Sequence, residues 1–288
     1  MVEYQSSSPL RSRWRALGAS VRGHSHAQTG ALNEDAIAWW PDSGEGPPVG
    51  LSVSDGHGSA RSFRSHIGAA LAVAAANKSV AKIVASAAES NIIVESPEAI
   101  NTELAFAVLT AWTNDVYADL RTRPFTDEDL EHFGAPASEQ NSLLAYGATI
   151  LTAAVTRSVV AYAQLGDGDI LCVSETGNVS RPLPKDARLV GNETTSLCMP
   201  NADREFRIRI QPLSAEEPAL IFLSTDGYGN SYRSDEDFAK VAADIFETIK
   251  AKGWQYVAGR LEPWLNEVSR RGSGDDVTAG ILHRIGEA

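Results

Sequence analysis

The chain has 288 residues, 43% of them hydrophobic, and 25 basic against 37 acidic side chains give a net charge of −12. Such a length suits one large domain or two small ones, and the acidic balance argues against nucleic-acid binding, which needs a basic face. No run approaches 18 apolar residues, no basic amphipathic helix points to a membrane surface, and the polar start Met1 to Ser8 lacks a secretory core, so a cytoplasmic location is expected.

Trp14 to Val21 and Ala36 to Trp40 read as early strands, and a Gly- and Pro-rich loop, Pro41 to Pro48, leads to the apolar run Val49 to Val53. Ser59 to about Ala88 is rich in Ala and predicts a long helix, with Phe63, Ile67, Ala70, Leu71 and Ala74 at helical spacing on its packed stripe. Pro97 to Leu120 predicts a second, carrying Leu104, Val108, Ala111, Trp112 and Val116 inward, so that the pair covers one sheet. Arg121 to Asn141 breaks the pattern with prolines, glycine and acids and reads as a surface excursion. Tyr146 to Thr156, Val159 to Leu165, Ile170 to Ser174 and Phe206 to Ile210 supply central antiparallel strands, with an irregular stretch from Pro182 to Arg204. A strand at Leu220 to Leu223, helices over Asp235 to Lys250 and Trp254 to Arg271, and a last strand from Val277 to Leu282 complete the pattern. Cys172 and Cys198 lack metal-ligand spacing and read as reduced thiols.

Four short acidic stations punctuate these elements: Asn33-Glu34-Asp35, Asp55-Gly56-His57-Gly58, Thr225-Asp226-Gly227 and Gly274-Asp275-Asp276. Any one Asp-Gly pair alone is a turn, since Gly accepts positive φ and Asp caps its own backbone. Three of the stations, however, close or open an apolar strand, and strands in a sheet can gather such ends. Clustered carboxylates repel unless divalent cations neutralise them, and a ligand set almost wholly of oxygen favours magnesium, manganese or calcium over zinc. Stations sharing one site demand a single domain, placed over residues 21–285, with residues 1–20 as an N-terminal segment carrying the first strand.

The ordered set resembles the type 2C metal-dependent serine/threonine protein phosphatases, in particular a bacterial branch. It comprises Gly23-His24-Ser25-His26, Asn33-Glu34-Asp35-Ala36, Val53-Ser54-Asp55-Gly56-His57-Gly58-Ser59, Gly147-Ala148-Thr149, Leu165-Gly166-Asp167-Gly168-Asp169, Leu223-Ser224-Thr225-Asp226-Gly227 and Gly274-Asp275-Asp276-Val277-Thr278. The resemblance implies an α+β fold, a four-layer α-β-β-α sandwich of two mainly antiparallel sheets with a two-metal centre at one edge. It makes Asp55 the ligand bridging two Mn2+ or Mg2+ ions beside the Gly56 carbonyl. Asp226 and Asp275 then serve one ion, and Glu34 and Asp35 the other, partly through waters. A metal-activated water would attack phosphorus, with His57 as the general acid for the leaving seryl or threonyl oxygen. A solvated turn residue is the plainer reading of His57. Asp167 takes the position that helps hold a weaker third ion, although a hairpin turn alone would also explain Gly166 to Gly168. The stretch from Pro182 to Arg204 corresponds to a mobile flap near the active site.

Two departures stand out. The family's partner for the third ion is an Asp four residues past Asp226, and Asn230 stands there; its phosphate-binding Arg lies four residues before Glu34, where this chain has Gly30. Losing a guanidinium contact removes about 1.5 to 3 kcal/mol, so His26, Arg61 or Arg64 is expected to replace it, with His24 and Arg22 as further candidates. A structural hydrogen bond for His26, and a solvated helix face for Arg61 and Arg64, are the competing readings. The leading expectation is a phosphatase acting on phosphorylated protein, opposite a cognate Ser/Thr kinase, without nucleic-acid or membrane partners. The alternatives are a regulatory module of the same fold and a hydrolase of small phosphorylated metabolites.

Overall fold

Apolar runs rich in Val, Ile and Leu, cut by Gly, Pro and Asp, become eleven strands among the described residues of this computed structural model, which are 13–90, 97–131, 139–189, 193–213 and 218–285. The strands are β1 (Arg13–Val21), β2 (Ala36–Trp40), β3 (Glu45–Gly46), β4 (Val49–Ser54), β5 (Ile150–Val155), β6 (Val159–Leu165), β7 (Asp169–Val173), β8 (Val179–Ser180), β9 (Arg207–Pro212), β10 (Leu220–Ser224) and β11 (Val277–Ile285). The helices are α1 (His24–Thr29), α2 (Ser65–Ser90), α3 (Pro97–Thr122), α4 (Asp127–Glu131), α5 (Glu139–Leu144), α6 (Asp226–Gly229), α7 (Asp235–Lys252), α8 (Trp254–Ala258) and α9 (Leu261–Arg271).

One sheet has the order β3-β1-β11-β10-β7-β8 and the other β2-β4-β5-β6-β9, with antiparallel pairing. Strands β4, β5, β7 and β10 are buried at every residue, because each has a layer on both faces. Between the sheets lie Trp14, Leu51, Leu151, Tyr162, Ile221, Leu223 and Leu282. Helices α2 and α3 cover the five-stranded sheet through Val73, Val108 and Trp112, while α7 to α9 cover the six-stranded one through Phe238, Phe246 and Leu265. The expected α-β-β-α layering is therefore present.

Several expected boundaries move, each for a local reason. Helix α2 begins at Ser65 rather than Ser59, because Gly58 sits at φ 55° and residues 59–65 close turns through Ser62 N to Ser59 O and Ser65 N to Ser62 O. The single helix expected over Trp254 to Arg271 is two, α8 and α9, since Pro263 fits only a first helical turn and its ring would clash with the carbonyl of Gly259. The excursion after Arg121 carries α4 and α5, although part of it lies outside the described residues. Short elements α1, β3, β8 and α6 were not expected. The boundary expected after residue 20 falls inside β1, which pairs with β11 from Arg13↔Ile285 to Val21↔Val277 and buries Trp14 completely, so β1 belongs to the sandwich. Cys172 and Cys198 are buried and form no disulfide. Among the described residues no helix is long and apolar enough to cross a membrane.

Candidate metal centre

The four acidic stations meet at one edge of the sandwich because strand ends from both sheets finish there. Where β4 ends, Ser54 Oγ donates to Thr149 O at 2.5 Å, Asp55 N donates to Thr149 Oγ1 at 3.0 Å, and Thr149 N donates to Asp55 O at 2.8 Å, which pins Asp55 from two directions. Gly56 N then donates to Glu34 O at 3.1 Å, and a Cβ at Gly56 would stand 2.7 Å from that oxygen, so only glycine permits the approach. Asp226 opens the one-turn α6 after β10, and Asp275 precedes β11.

Hydrogen bonds within and between the two sheets hold the stations in register. Thr225 Oγ1 donates to Asp35 Oδ2 at 2.8 Å, and Thr225 N to Thr278 O at 3.1 Å. Asp276, 4% exposed, accepts from Gly23 N at 2.5 Å and His26 Nδ1 at 2.9 Å on one oxygen and from Glu34 N at 2.6 Å on the other. Asp276 carried no separate expectation. Its neighbour Asp275 matched the ligand position, and nothing in the sequence marks which of two adjacent acids faces inward.

Crowding shows in the acidities. Burial, then Asp276 and Asp226, push Asp35 well above the carboxylate range against hydrogen bonds from Thr278 and Thr225. Burial, then Asp35 and Asp226, do the same to Asp55. Burial and Asp167 raise Asp226 to about 6, although its contact with Asp55 works the other way. Glu34 stays below its ordinary value: burial opposes its charge, but hydrogen bonding to His66 and Ser65 outweighs it. Of those two, Ser65 Oγ at 2.6 Å is the stronger contact, as His66 Nδ1 lies 3.7 Å away. Burial, other carboxylates and, for Asp35, the Thr278 and Thr225 hydroxyls act most strongly on Asp35, Asp55 and Asp226, with no lysine or arginine among them. An anionic, oxygen-only cluster without a protein cation fits divalent Mg2+ or Mn2+.

Asp167 lies in the turn between β6 and β7, near enough to raise Asp226 and Asp55, and its Oδ1 accepts from Thr194 Oγ1 at 2.7 Å. Asn230 donates from Nδ2 to Asp226 Oδ2 at 2.9 Å, so where an acid would add repulsion the amide steadies the carboxylate. His57 Nε2 meets Ser196 Oγ at 2.7 Å, and burial depresses its pKa against the pull of Asp167. The residues expected to form a flap include 190–192, which lie outside the described residues. Beyond them Thr194, Thr195 and Ser196 fasten the segment to Asp167, Gly166 N and His57 in turn. A cleft of about 680 Å³ opens here, lined by His57, Ser59, Arg188, Thr194 and Glu205. Arg188 had no sequence signal; it pairs with Asp186 and Glu205.

The phosphate candidates separate. Arg64 is turned away: its guanidinium donates to Tyr146 Oη at 2.9 Å, Arg123 O at 2.6 Å and Asp129 Oδ2 at 3.1 Å, which corrects the expectation that it binds phosphate. Arg61 is exposed and pairs with no carboxylate among the described residues. His26 stands against Asp275 and Asp276, and the exposed His24 against Gln28. Gly30 ends α1 at φ 81° with open space around it.

The fold is shared with solved bacterial proteins. PppA of Pseudomonas aeruginosa, described as a key regulatory component of T6SS, is 15% identical with a TM-score of 0.57, over 94% of this chain and 98% of that one. The catalytic domain of the serine/threonine phosphatase PstP, solved with two manganese ions, is 18% identical at 0.53, over 95% and 99%. Stp1 of Staphylococcus aureus, a serine/threonine phosphatase, is 15% identical at 0.55, over 99% and 100%. At such identity these likenesses show the fold alone. No curated protein matches the sequence. The profile of the family described as Protein phosphatase 2C matches residues 22–266, which contain the gathered Glu34, Asp35, Asp55 and Asp226, and the chain belongs to that family.

Proposed function

We propose that the chain is a metal-dependent phosphatase hydrolysing phosphoserine and phosphothreonine in proteins. The observation that carries this reading is the mutual crowding of Asp35, Asp55 and Asp226, each pushed towards protonation with no lysine or arginine among the groups acting most strongly on it. Asp55, the Gly56 carbonyl, Asp226 and Asp275, with Glu34 and Asp35, would hold two Mn2+ or Mg2+ ions. Asp167 and Asp226 would hold a weaker third. Such ions, when bound, supply Lewis acidity for a phosphoryl oxygen and lower the pKa of a water. The solved PstP domain, with its two manganese ions, supports the choice of metal.

The chain's own groups do the rest. His57 carries the proton that the leaving seryl or threonyl oxygen takes as its bond to phosphorus breaks. Ser196 orients that imidazole, and Thr194 holds Asp167. An open cleft beside His57 gives room for a polypeptide. A phosphorylated protein, made by an opposing Ser/Thr kinase, is therefore the proposed substrate.

A second reading, a module that keeps the fold without turnover, is favoured by Gly30, which offers no guanidinium and where even an added Cβ would meet nothing within 4 Å. Hydrolysis of a phosphothreonine peptide with and without Mn2+ decides between them, with Asp226→Asn as the control. Manganese-dependent turnover lost in the variant supports the phosphatase; metal binding by calorimetry without turnover supports the module.

A further inference from the structure

Helix α1 is seated on the segment that leads into β11. His24 N donates to Ser269 Oγ at 2.9 Å, while Ser25 donates to Gly274 O through N at 2.9 Å and through Oγ at 2.5 Å. A Cβ at Gly23 would stand 2.6 Å from the Asp275 carbonyl carbon and 2.7 Å from Asp276 N, so this close seating requires glycine. The result is that one donor atom each of His26, Asp275 and Asp276 lies within 4.8 Å of the others.

The three residues are not equivalent. Asp276 is buried, and N–H groups of Gly23, His26 and Glu34 occupy both its oxygens. It is thereby an orienting acceptor, taking the hydrogen of His26 Nδ1. With that hydrogen on Nδ1, the neutral imidazole presents its Nε2 lone pair 3.5 Å from Oδ1 of Asp275, whose side chain is 50% exposed. A carboxylate that fixes one ring nitrogen so that the other faces a metal is the usual support of a histidine ligand.

We infer that His26 is a nitrogen ligand of the divalent ion held by Asp275, making one end of the centre a mixed imidazole–carboxylate site rather than an all-oxygen one. The inference rests on the metal-dependent reading proposed above. An imidazole shifts preference from Mg2+ towards Mn2+ and later transition metals. It also assigns His26 to the metal instead of to phosphate.

Pulsed electron paramagnetic resonance of the full chain loaded with Mn2+ tests this without any turnover. Nitrogen modulation is expected in the wild type, is altered by 15N-histidine labelling, disappears in His26→Gln and survives in His57→Gln and His66→Gln. Calorimetry should show Mn2+ affinity falling roughly tenfold in His26→Gln while Mg2+ affinity changes less than about twofold. Should His26→Gln fail to fold, survival of the modulation in His24→Gln, His57→Gln and His66→Gln still assigns the coupling to His26 among the histidines near the site. Bound Mn2+ without nitrogen modulation, modulation that survives His26→Gln, or loss of inorganic phosphate affinity with Mn2+ affinity unchanged would each overturn the inference while leaving the metal-dependent reading intact. Absence of Mn2+ binding altogether would overturn both.

Discussion

Asp226→Asn, which removes a proposed metal ligand, is expected to stabilise the protein when metal is absent. Asp226 is raised from 3.8 to about 6 by burial and by Asp167, so the fold favours its neutral form. A carboxyl whose folded pKa lies above its unfolded value contributes its full stability below the unfolded pKa and loses it as pH rises through the folded one. The shift of about two units corresponds to roughly 3 kcal/mol lost by pH 8, and about half of that by pH 5. Asn cannot ionise and escapes the loss, while its Oδ1 can still accept from Asn230. The advantage of the variant in EDTA should therefore be about 3 kcal/mol at pH 8, or about 6 °C in melting temperature, shrinking towards pH 5. His57 and His283, with depressed pKa values, lose stability as pH falls below 6.5, but they act equally in both proteins and cancel in the difference. Excess Mn2+ should invert the order, because only the wild type gains binding energy. Urea unfolding at pH 5, 6, 7 and 8, with EDTA or Mn2+, measures all four states. A variant no more stable than the wild type at pH 8 in EDTA, or an advantage independent of pH, would refute the charge-crowding account.

Ser196→Ala should slow hydrolysis of a phosphothreonine peptide roughly tenfold while changing p-nitrophenyl phosphate turnover less than about twofold, because only the poor leaving group needs a well-placed acid. Equal losses on both substrates would show that Ser196 does not act through His57. Arg64→Met should cost about 3 kcal/mol by leaving Asp119, 9% exposed, short of a partner, with KM for the phosphopeptide unchanged; a raised KM with normal stability would restore the phosphate role. Gly68→Ala should lower the urea midpoint by roughly 1–3 kcal/mol although alanine is the better helix former, since its Cβ would meet Tyr146 O at 1.8 Å. Unchanged stability would show that α2 can shift away from Tyr146 at little cost.

The acidic stations were legible because each is a short motif and three of them close or open an apolar run, and β6 even kept its expected bounds, Val159–Leu165. What escaped depends on contacts made across long sequence separations. Ser65 touches Glu34 over 31 residues and Ser196 touches His57 over 139, and neither serine carries a pattern that distinguishes it from a surface hydroxyl. Arg64 misled because a helix-start arginine one turn past Asp-Gly-His-Gly suits either a phosphate or a carboxylate, and Asp129, which settles the matter, comes from α4. Helix α1 was missed for a different reason. Its six residues are too few to show periodicity, and its seat is made by Gly274 and Ser269 far downstream.

Stability and chemistry conflict at this edge, and the hydrogen bonds show how the fold manages the conflict. Asp35, Asp55 and Asp226 come from strand ends of two different sheets, so their repulsion would pry the sandwich apart rather than strain a single loop. The opposing ties run across the same gap: Thr225, beside β10 in the six-stranded sheet, holds Asp35 at the start of β2 in the other, and Asp276, beside β11, holds the backbone of Glu34. A third tie comes from α1, whose His26 caps Asp276. All are short, directional contacts to carboxyl oxygens, and they keep the donor set assembled when no ion is bound. Pre-assembly of this kind limits the reorganisation that metal binding must drive, so the repulsion carried by the free protein becomes binding energy for the ion instead of being spent on gathering its ligands.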